Sequence, residues 1–177
     1  MRKTLISVNG YNDQGKTLVV NNLIKLILQD QNLNALIVSI KPDKHTPQSI
    51  ISNWNTINAT ANVNAVISVM SISGIVKIGI ESEGDVSWKV INSLNEFVKE
   101  NCDLIICCNH PSNTCNAKLY IDNEMHVKYG YRIFRTSNYS LPKIHHQNQN
   151  QIFNGILNTH STQQIFDTID AILKGRI

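Results

Sequence analysis

A short apolar strand that runs into a glycine-framed loop places the strongest constraint on this sequence. The predicted strand, Lys3 to Asn9, leads directly into the pattern Gly10-x-x-x-x-Gly15-Lys16-Thr17. Two glycines let the backbone turn so tightly that successive N–H groups point at one anion, while the lysine reaches phosphates and the threonine hydroxyl can hold Mg²⁺. The sequence therefore predicts a phosphate-binding loop.

The residues after the loop predict the beginning of an α/β fold. From Leu18 to about Gln29 the apolar side chains recur at helical spacing, so the loop opens a helix whose positive N-terminus adds to the anion site. A second apolar strand, Ala35 to Lys41, follows and ends at Pro42. A strand, helix, strand unit with a crossover of this length is parallel and right-handed. We therefore expect a three-layer, doubly wound, mainly parallel sheet of about five strands, with helices on both faces.

The rest of the chain alternates between strand and helix patterns. Further strands are predicted at Ile75 to Glu81, Cys102 to Asn109 and Gly130 to Arg135, and helices after Asp85 or Ser87, over residues 114–128, and after Ser161 or Thr162. Residues 43–74 form an irregular cover segment in which the type of the apolar piece 65–70 stays open. Residues 142–151 are polar and predict a loop.

Composition narrows the class of protein. A length of 177 residues predicts a single domain with a full core. The net charge of +3 is small and the basic residues are scattered, so no footprint for nucleic acid is visible. No apolar run of membrane-spanning length and no signal sequence is found, so we expect a cytoplasmic protein whose four cysteines are thiols.

The strand, loop and helix together resemble the Walker A unit of the P-loop NTPases. That resemblance implies bound ATP or GTP with Mg²⁺, with Lys16 on the β- and γ-phosphates and Thr17 on the metal. It also implies backbone donors from Tyr11 to Gln14 around the phosphates. Asp13 is unusual so close to phosphate and is alternatively placed to approach an attacking hydroxyl or water. The expected nucleotide site comprises Gly10, Tyr11, Asn12, Asp13, Gln14, Gly15, Lys16 and Thr17.

The same family carries a carboxylate at the end of a strand beside the loop, where it orients metal-bound water. Glu81 ends an apolar strand and is the best match, although the family usually has aspartate there. Asp85 is the alternative, either as a metal ligand or as a helix cap. The resemblance therefore implies a metal site formed by Thr17 with Glu81 or Asp85.

Two further residues, Asp43 and Arg135, are candidates for roles in phosphoryl transfer. Asp43 follows the second strand, where kinases of this family place acceptor-binding residues. Transferred phosphoryl groups usually need another cation, and Arg135 is the arginine that we favour for this role. Asn109 and His110 follow the fourth predicted strand and also face the ligand edge, but they depart from the Asn-Lys-x-Asp base-reading motif of GTPases. This departure argues against guanine specificity and favours ATP, but the choice between ATP and GTP stays open.

We expect a Mg²⁺-dependent protein that binds a nucleoside triphosphate and transfers a phosphoryl group to a small molecule, as nucleoside and nucleotide kinases do. Two alternatives remain open. One is a nucleotide-dependent switch or partner-regulated ATPase, and the other is a degenerate P-loop scaffold without turnover. The identity of the acceptor and the oligomeric state are left open by the sequence.

Overall fold

The computed structural model describes residues 2–10, 15–42, 62–84, 86–112, 114–137 and 147–177, except for the side chains of residues 40–42 and 147–154. Within these ranges the protein is an α/β structure with a mixed, mostly parallel six-stranded sheet and four α-helices. In chain order the elements are β1 (Thr4–Asn9), α1 (Lys16–Gln29), β2 (Leu36–Pro42), β3 (Val63–Ser71), β4 (Gly74–Glu81), α2 (Ser87–Lys99), β5 (Leu104–Asn109), α3 (Asn116–Tyr120), a π-helical segment (Ile121–Lys128), β6 (Arg132–Ser137) and α4 (Gln147–Leu173).

The order of strands across the sheet is β2-β3-β4-β5-β1-β6. Strands β4, β5, β1 and β6 are parallel, whereas β3 runs antiparallel to both β2 and β4. Asn9 aligns with Asn109 and Glu81 aligns with Cys107, so β1, β4 and β5 end at one edge of the sheet. The loop after β1 therefore shares its edge with the segments that follow β4 and β5.

Within the described ranges the sheet has six strands instead of the five that were expected, and the additional strand is β3. The apolar piece 65–70, whose type the sequence left open, lies within β3, so residues 63–71 are regular rather than part of an irregular cover. A tight turn connects β3 to β4 and places Gly74 at a φ of 110°, which favours glycine. Strands β1 and β2 point in the same direction as predicted, but β3, β4 and β5 separate them.

Successive side chains of the central strands belong to two different hydrophobic clusters, as the period of two in a strand requires. Ile6 and Ile106 pack with α1 and α4, whereas Leu5 and Ile105 pack with α2, α3 and the π-helical segment. Five apolar side chains of α1 are fully buried in the first cluster; they are Val19, Val20, Leu23, Ile24 and Ile27. Each such side chain stabilises the fold by roughly 1.5–3 kcal/mol through burial.

The C-terminal helix begins much earlier than the sequence pattern indicates. We expected a start at Ser161 or Thr162, but α4 begins at Gln147, within the range 142–151 that was predicted to be a loop. Thr162 does not cap the helix; its hydroxyl donates to the carbonyl oxygen of Asn158 one turn earlier. The first turns of α4 are rich in asparagine and glutamine and carry little apolar periodicity, which explains the missed boundary.

The positions of the other two predicted helices agree with the structure: residues 114–128 contain α3 and the π-helical segment, and α2 begins at Ser87. The predicted cap at Ser87 is wrong, because the N-cap of α2 is Val86 and no side chain of the described residues caps the helix. Within the described ranges, no helix combines the length and the apolar character needed to cross a membrane.

Candidate functional site

The two ends of the predicted phosphate-binding loop are held by neighbouring elements. The N–H of Gly10 donates to the carbonyl oxygen of Asn109 over 3.1 Å, which fixes the loop to the end of β5. Gly15 has a φ of 73°, and a Cβ placed on it would stand 2.7 Å from Nδ2 of Asn158 in α4. The backbone conformation favours glycine there, and a larger residue would require the Asn158 side chain to move. Residues 11–14, which include the predicted donors Tyr11, Asn12, Asp13 and Gln14, lie outside the described ranges.

Lys16 is buried, with only 4% of its surface exposed, and it lies beneath the segment that follows β4. A Cβ placed on Gly84 would stand 2.9 Å from Cε of Lys16 and 2.5 Å from Cβ of Cys108. The chain at Gly84 thus passes directly over the lysine stem and the end of β5. This approach leaves no room for any larger residue at position 84.

The Thr17 hydroxyl donates to the carbonyl oxygen of Ser82 over 2.9 Å. Ser82 is itself fixed to the start of β3, because its N–H donates to the carbonyl oxygen of Val63 and its Oγ accepts from the N–H of Val63. A hydroxyl that gives its proton to a carbonyl keeps its lone pairs for another partner. Thr17 is therefore oriented in a way that suits a ligand of a hard cation.

Glu81 is a buried carboxyl at the end of β4, with 4% of its surface exposed. The hydroxyl of Ser93 in α2 donates to its Oε2 over 2.5 Å, and the N–H of Glu83 donates to its Oε1 over 2.6 Å. Burial raises the pKa of Glu81 from 4.5 to about 7, a rise that the two hydrogen bonds reduce but do not cancel. At neutral pH this carboxyl is therefore divided between its protonated and ionised forms.

A cavity of about 250 Å³ opens beside Glu81, between the start of β3 and α2. Carboxylates, amides, one ammonium group and one indole surround it; the residues that line it are Asn62, Val63, Asn64, Glu81, Glu83, Trp88, Lys89, Asn92, Ser93 and Glu96. Lys89 forms an ion pair of 2.6 Å with Glu83 on its rim. The cavity thus offers both hydrogen-bond donors and acceptors to a small polar molecule.

For the other predicted site residues, Asp43, Asp85 and Arg135, the structure gives no contact with the predicted phosphate-binding loop within the described ranges. Asp43 and Asp85 lie outside the described ranges, so their roles stay predictions. Arg135 forms an ion pair with Asp122 of the π-helical segment. It shares a sheet face with Ile133, whose side chain packs against the cluster that contains α3 rather than α1. Its predicted contact with phosphate likewise remains a prediction.

Sequence reasoning missed four residues of this region: Asn158, Gly84, Ser82 and Ser93. The polar sequence around Asn158 concealed a helix, so its packing against Gly15 had no visible signal. Gly84 and Ser82 lie within Ser-Glu-Gly after β4, a stretch to which the sequence pattern gave no role in the site. Ser93 lies on the polar side of the α2 pattern, where a buried partner for Glu81 was not expected.

The donor set suits a phosphate-bound Mg²⁺ better than a metal held by the protein alone. Within the described ranges, no group of three or more His, Cys, Asp or Glu side chains is arranged to hold a metal ion. Mg²⁺ in nucleotide sites takes most of its ligands from phosphate oxygens and water, so a single hydroxyl such as that of Thr17 fits this role. Each carboxylate oxygen of Glu81 already accepts one hydrogen bond, and the role of Glu81 at the metal stays a prediction.

Comparisons of this chain with protein-family models, with curated proteins and with solved structures find no match.

Proposed function

We propose that this protein binds a nucleoside triphosphate, ATP in preference to GTP, with Mg²⁺, and transfers its terminal phosphoryl group to a small acceptor. The observation that carries the proposal is the Thr17–Ser82 hydrogen bond, which joins the phosphate-binding loop to the end of β4 beside Glu81. We also propose the three-layer, doubly wound arrangement that such proteins use. The two hydrophobic clusters, which alternate along the central strands, support it.

In this proposal the loop supplies positioning and charge. The ammonium group of Lys16 neutralises oxygens of the β- and γ-phosphates, and backbone N–H groups at the start of α1 point at the same anion. Thr17 contributes its hydroxyl oxygen to the metal. When bound, Mg²⁺ would offset the negative charge that develops on the phosphate oxygens during transfer.

We propose that Glu81 acts on the acceptor from the adjoining cavity. As an acceptor hydroxyl oxygen bonds to the γ-phosphorus, the bond from that phosphorus to its bridging oxygen breaks and the nucleoside diphosphate leaves. The hydroxyl proton passes to Glu81. A carboxyl with a pKa of about 7 is well matched to a proton transfer near neutral pH. Asp43 remains a predicted acceptor-binding residue, and Arg135 remains the predicted cation for the transferred phosphoryl group.

A nucleotide-dependent switch or partner-regulated ATPase is the second candidate. It is favoured by the contacts of the segment from Ser82 to Gly84, which touches both Lys16 and Thr17. A segment that contacts both loop residues is placed to change conformation when the terminal phosphate is lost. In that case water, rather than a small acceptor, receives the phosphoryl group.

We further propose a cytosolic location. All four cysteines are unpaired thiols, and three of them are buried. Such thiols persist best in a reducing compartment.

The central test compares Lys16→Met with Lys25→Met, a lysine further along the same helix. Methionine keeps the hydrocarbon stem of Lys16 and removes its charge, so the fold is preserved while the phosphate contact is lost. We expect Lys16→Met to weaken binding of a fluorescent ATP analogue with Mg²⁺ by on the order of a hundredfold, the loss of a charge-assisted contact of about 3 kcal/mol. Equal affinities for the two variants would refute nucleotide binding at this loop.

A second test separates the candidate activities. The wild-type protein is incubated with γ-labelled ATP, Mg²⁺ and a panel of nucleosides and nucleoside monophosphates. Label on one acceptor supports the kinase proposal, and label released only as inorganic phosphate supports the switch. Tight ATP binding with neither product identifies a degenerate scaffold.

A further inference from the structure

Cys115 differs in its surroundings from the other cysteines of the chain. Cys102, Cys107 and Cys108 are buried, whereas Cys115 is half-buried at the residue that precedes α3. Its Sγ lies 3.3 Å from Oγ of Ser87 and donates to Oδ1 of Asn109 over 3.6 Å. Cys115 is therefore a solvent-accessible thiol that polar groups surround on its inner side.

The second observation at this place is an unsatisfied donor on Asn109. This residue is 1% exposed, and within the described ranges its Nδ2 has no hydrogen-bond partner. A buried donor without a partner costs about 1–3 kcal/mol. The Oδ1 of the same amide group accepts from Cys115 Sγ, so the unsatisfied N–H₂ is part of the amide that contacts the thiol. Rotating the amide by 180° would place this donor against the sulfur.

This rotation matches the two protonation states of the sulfur. A thiol donates to the amide oxygen, as in the structure, and a thiolate accepts from the amide N–H₂ after rotation. Ser87 offers a hydroxyl that can donate to the thiolate from the other side. The site can therefore stabilise an anion at Sγ.

The groups around Cys115 also lower the pKa of its thiol and so favour the thiolate. Burial raises the pKa of the Cys115 thiol, but hydrogen bonds lower it by a larger amount, so the pKa falls below its ordinary value of 9.0. These bonds come from the Ser87 hydroxyl and from the backbone N–H groups of Lys118, Ala117 and His110. Burial instead raises the pKa of Cys102 to about 12 and strongly raises that of Cys107. The thiolate is the nucleophilic form of cysteine, so Cys115 is expected to react faster than Cys102 and Cys107.

We propose that Cys115 is a modification site that reacts with low-molecular-weight disulfides, and that Asn109 and Ser87 position its thiolate. The Cys115 thiolate attacks one sulfur of the disulfide. The sulfur–sulfur bond of the reagent breaks, a new one joins Cys115 to half of the reagent, and the other half leaves as a thiolate. The reagent disulfide is itself the oxidant, so the step needs no other.

The experiment uses the native, full-length protein and the chromogenic disulfide 5,5′-dithiobis(2-nitrobenzoic acid), followed across a range of pH. We expect one rapidly reacting thiol per chain, with a midpoint of the rate below the pH at which free cysteine ionises. Cys115→Ser is expected to abolish the fast phase. Incubation with oxidised glutathione should add one glutathionyl group to the wild-type protein, as measured by intact mass, and none to Cys115→Ser.

Two variants test the positioning residues. Ser87→Ala removes a donor, and Asn109→Asp replaces the amide with a carboxylate that can only accept, so both should move the midpoint to higher pH and slow the reaction at neutral pH by on the order of tenfold. Ser73→Ala, in the exposed turn between β3 and β4, is the matched control and should react like the wild type. The proposal is overturned by a fast phase that persists in Cys115→Ser, or by an unchanged midpoint in both Ser87→Ala and Asn109→Asp.

Discussion

The hydroxyl of Thr17 and the carbonyl oxygen of Ser82 are joined by a hydrogen bond of 2.9 Å, although the two residues are 65 positions apart in the chain. Ser82 is in turn bonded to Val63 through both its N–H and its Oγ. The first residues of α1 are thereby tied to the end of β4 and the start of β3. Any movement of the predicted phosphate-binding loop is expected to reach the cavity beside Glu81 through this contact.

The Thr17–Ser82 hydrogen bond leads to a prediction about two conservative variants. Thr17→Val keeps the shape of the side chain but leaves the Ser82 carbonyl without this donor, and should lower the free energy of unfolding by about 1 kcal/mol. Thr17→Ser keeps the hydroxyl and should stay within about 0.5 kcal/mol of the wild type. Urea unfolding measures both. Equal stabilities of the valine and serine variants would contradict the contribution of this bond.

Gly84 supports a second prediction, because its environment excludes a side chain. The Cβ of Gly84→Ala would come within 2.9 Å of the backbone carbon of Cys108 and of Cε of Lys16. We expect the variant to lose about 1–3 kcal/mol of stability, as overpacking does, and to bind ATP more weakly through displacement of Lys16. Gly155→Ala is the control, since Gly155 is exposed in α4 with open space around it, and should gain roughly 0.5–1 kcal/mol. Urea unfolding and nucleotide titration of both variants provide the measurement.

The sequence was sufficient for the elements that carry regular patterns and a local motif. β1, α1 and β5 were predicted because apolar periodicity and the glycine spacing are both local signals. The placement of β2 at the far edge of the sheet was not predictable, since it depends on β3, whose apolar run fits more than one element type. Glu81 was identified from its position at a strand end. Its burial against Ser93 depends on how α2 packs, which no local pattern encodes.

The raised pKa of Glu81 predicts how stability changes with pH. Its pKa in the folded protein is about 7 against an ordinary 4.5, so the folded state holds this proton more tightly than the unfolded state does. The stabilisation that this group provides is therefore fully present below about pH 4.5. It is lost as the pH rises from 4.5 to about 7, by about 3 kcal/mol in total. Glu81→Gln, which cannot ionise, should lack this loss. Urea unfolding of both proteins across the interval tests this, with Glu100→Gln, an exposed carboxyl after α2, as control. Parallel pH profiles for the wild type and Glu81→Gln would contradict it.

Ser93 should control where this pH-dependent loss occurs. Its hydroxyl donates to Glu81 over 2.5 Å and favours the ionised carboxylate, so it lowers a pKa that burial raises. In Ser93→Ala the pKa of Glu81 should therefore rise further, and the loss of stability should begin at higher pH than in the wild type. Once Glu81 is ionised, the variant should be less stable by about 1–3 kcal/mol, because the buried carboxylate has lost a donor. The chemical shift of the Glu81 carboxyl carbon, followed by NMR during a pH titration, reports the pKa directly. A midpoint equal to that of the wild-type protein would show that the Ser93 hydroxyl does not lower the pKa of Glu81.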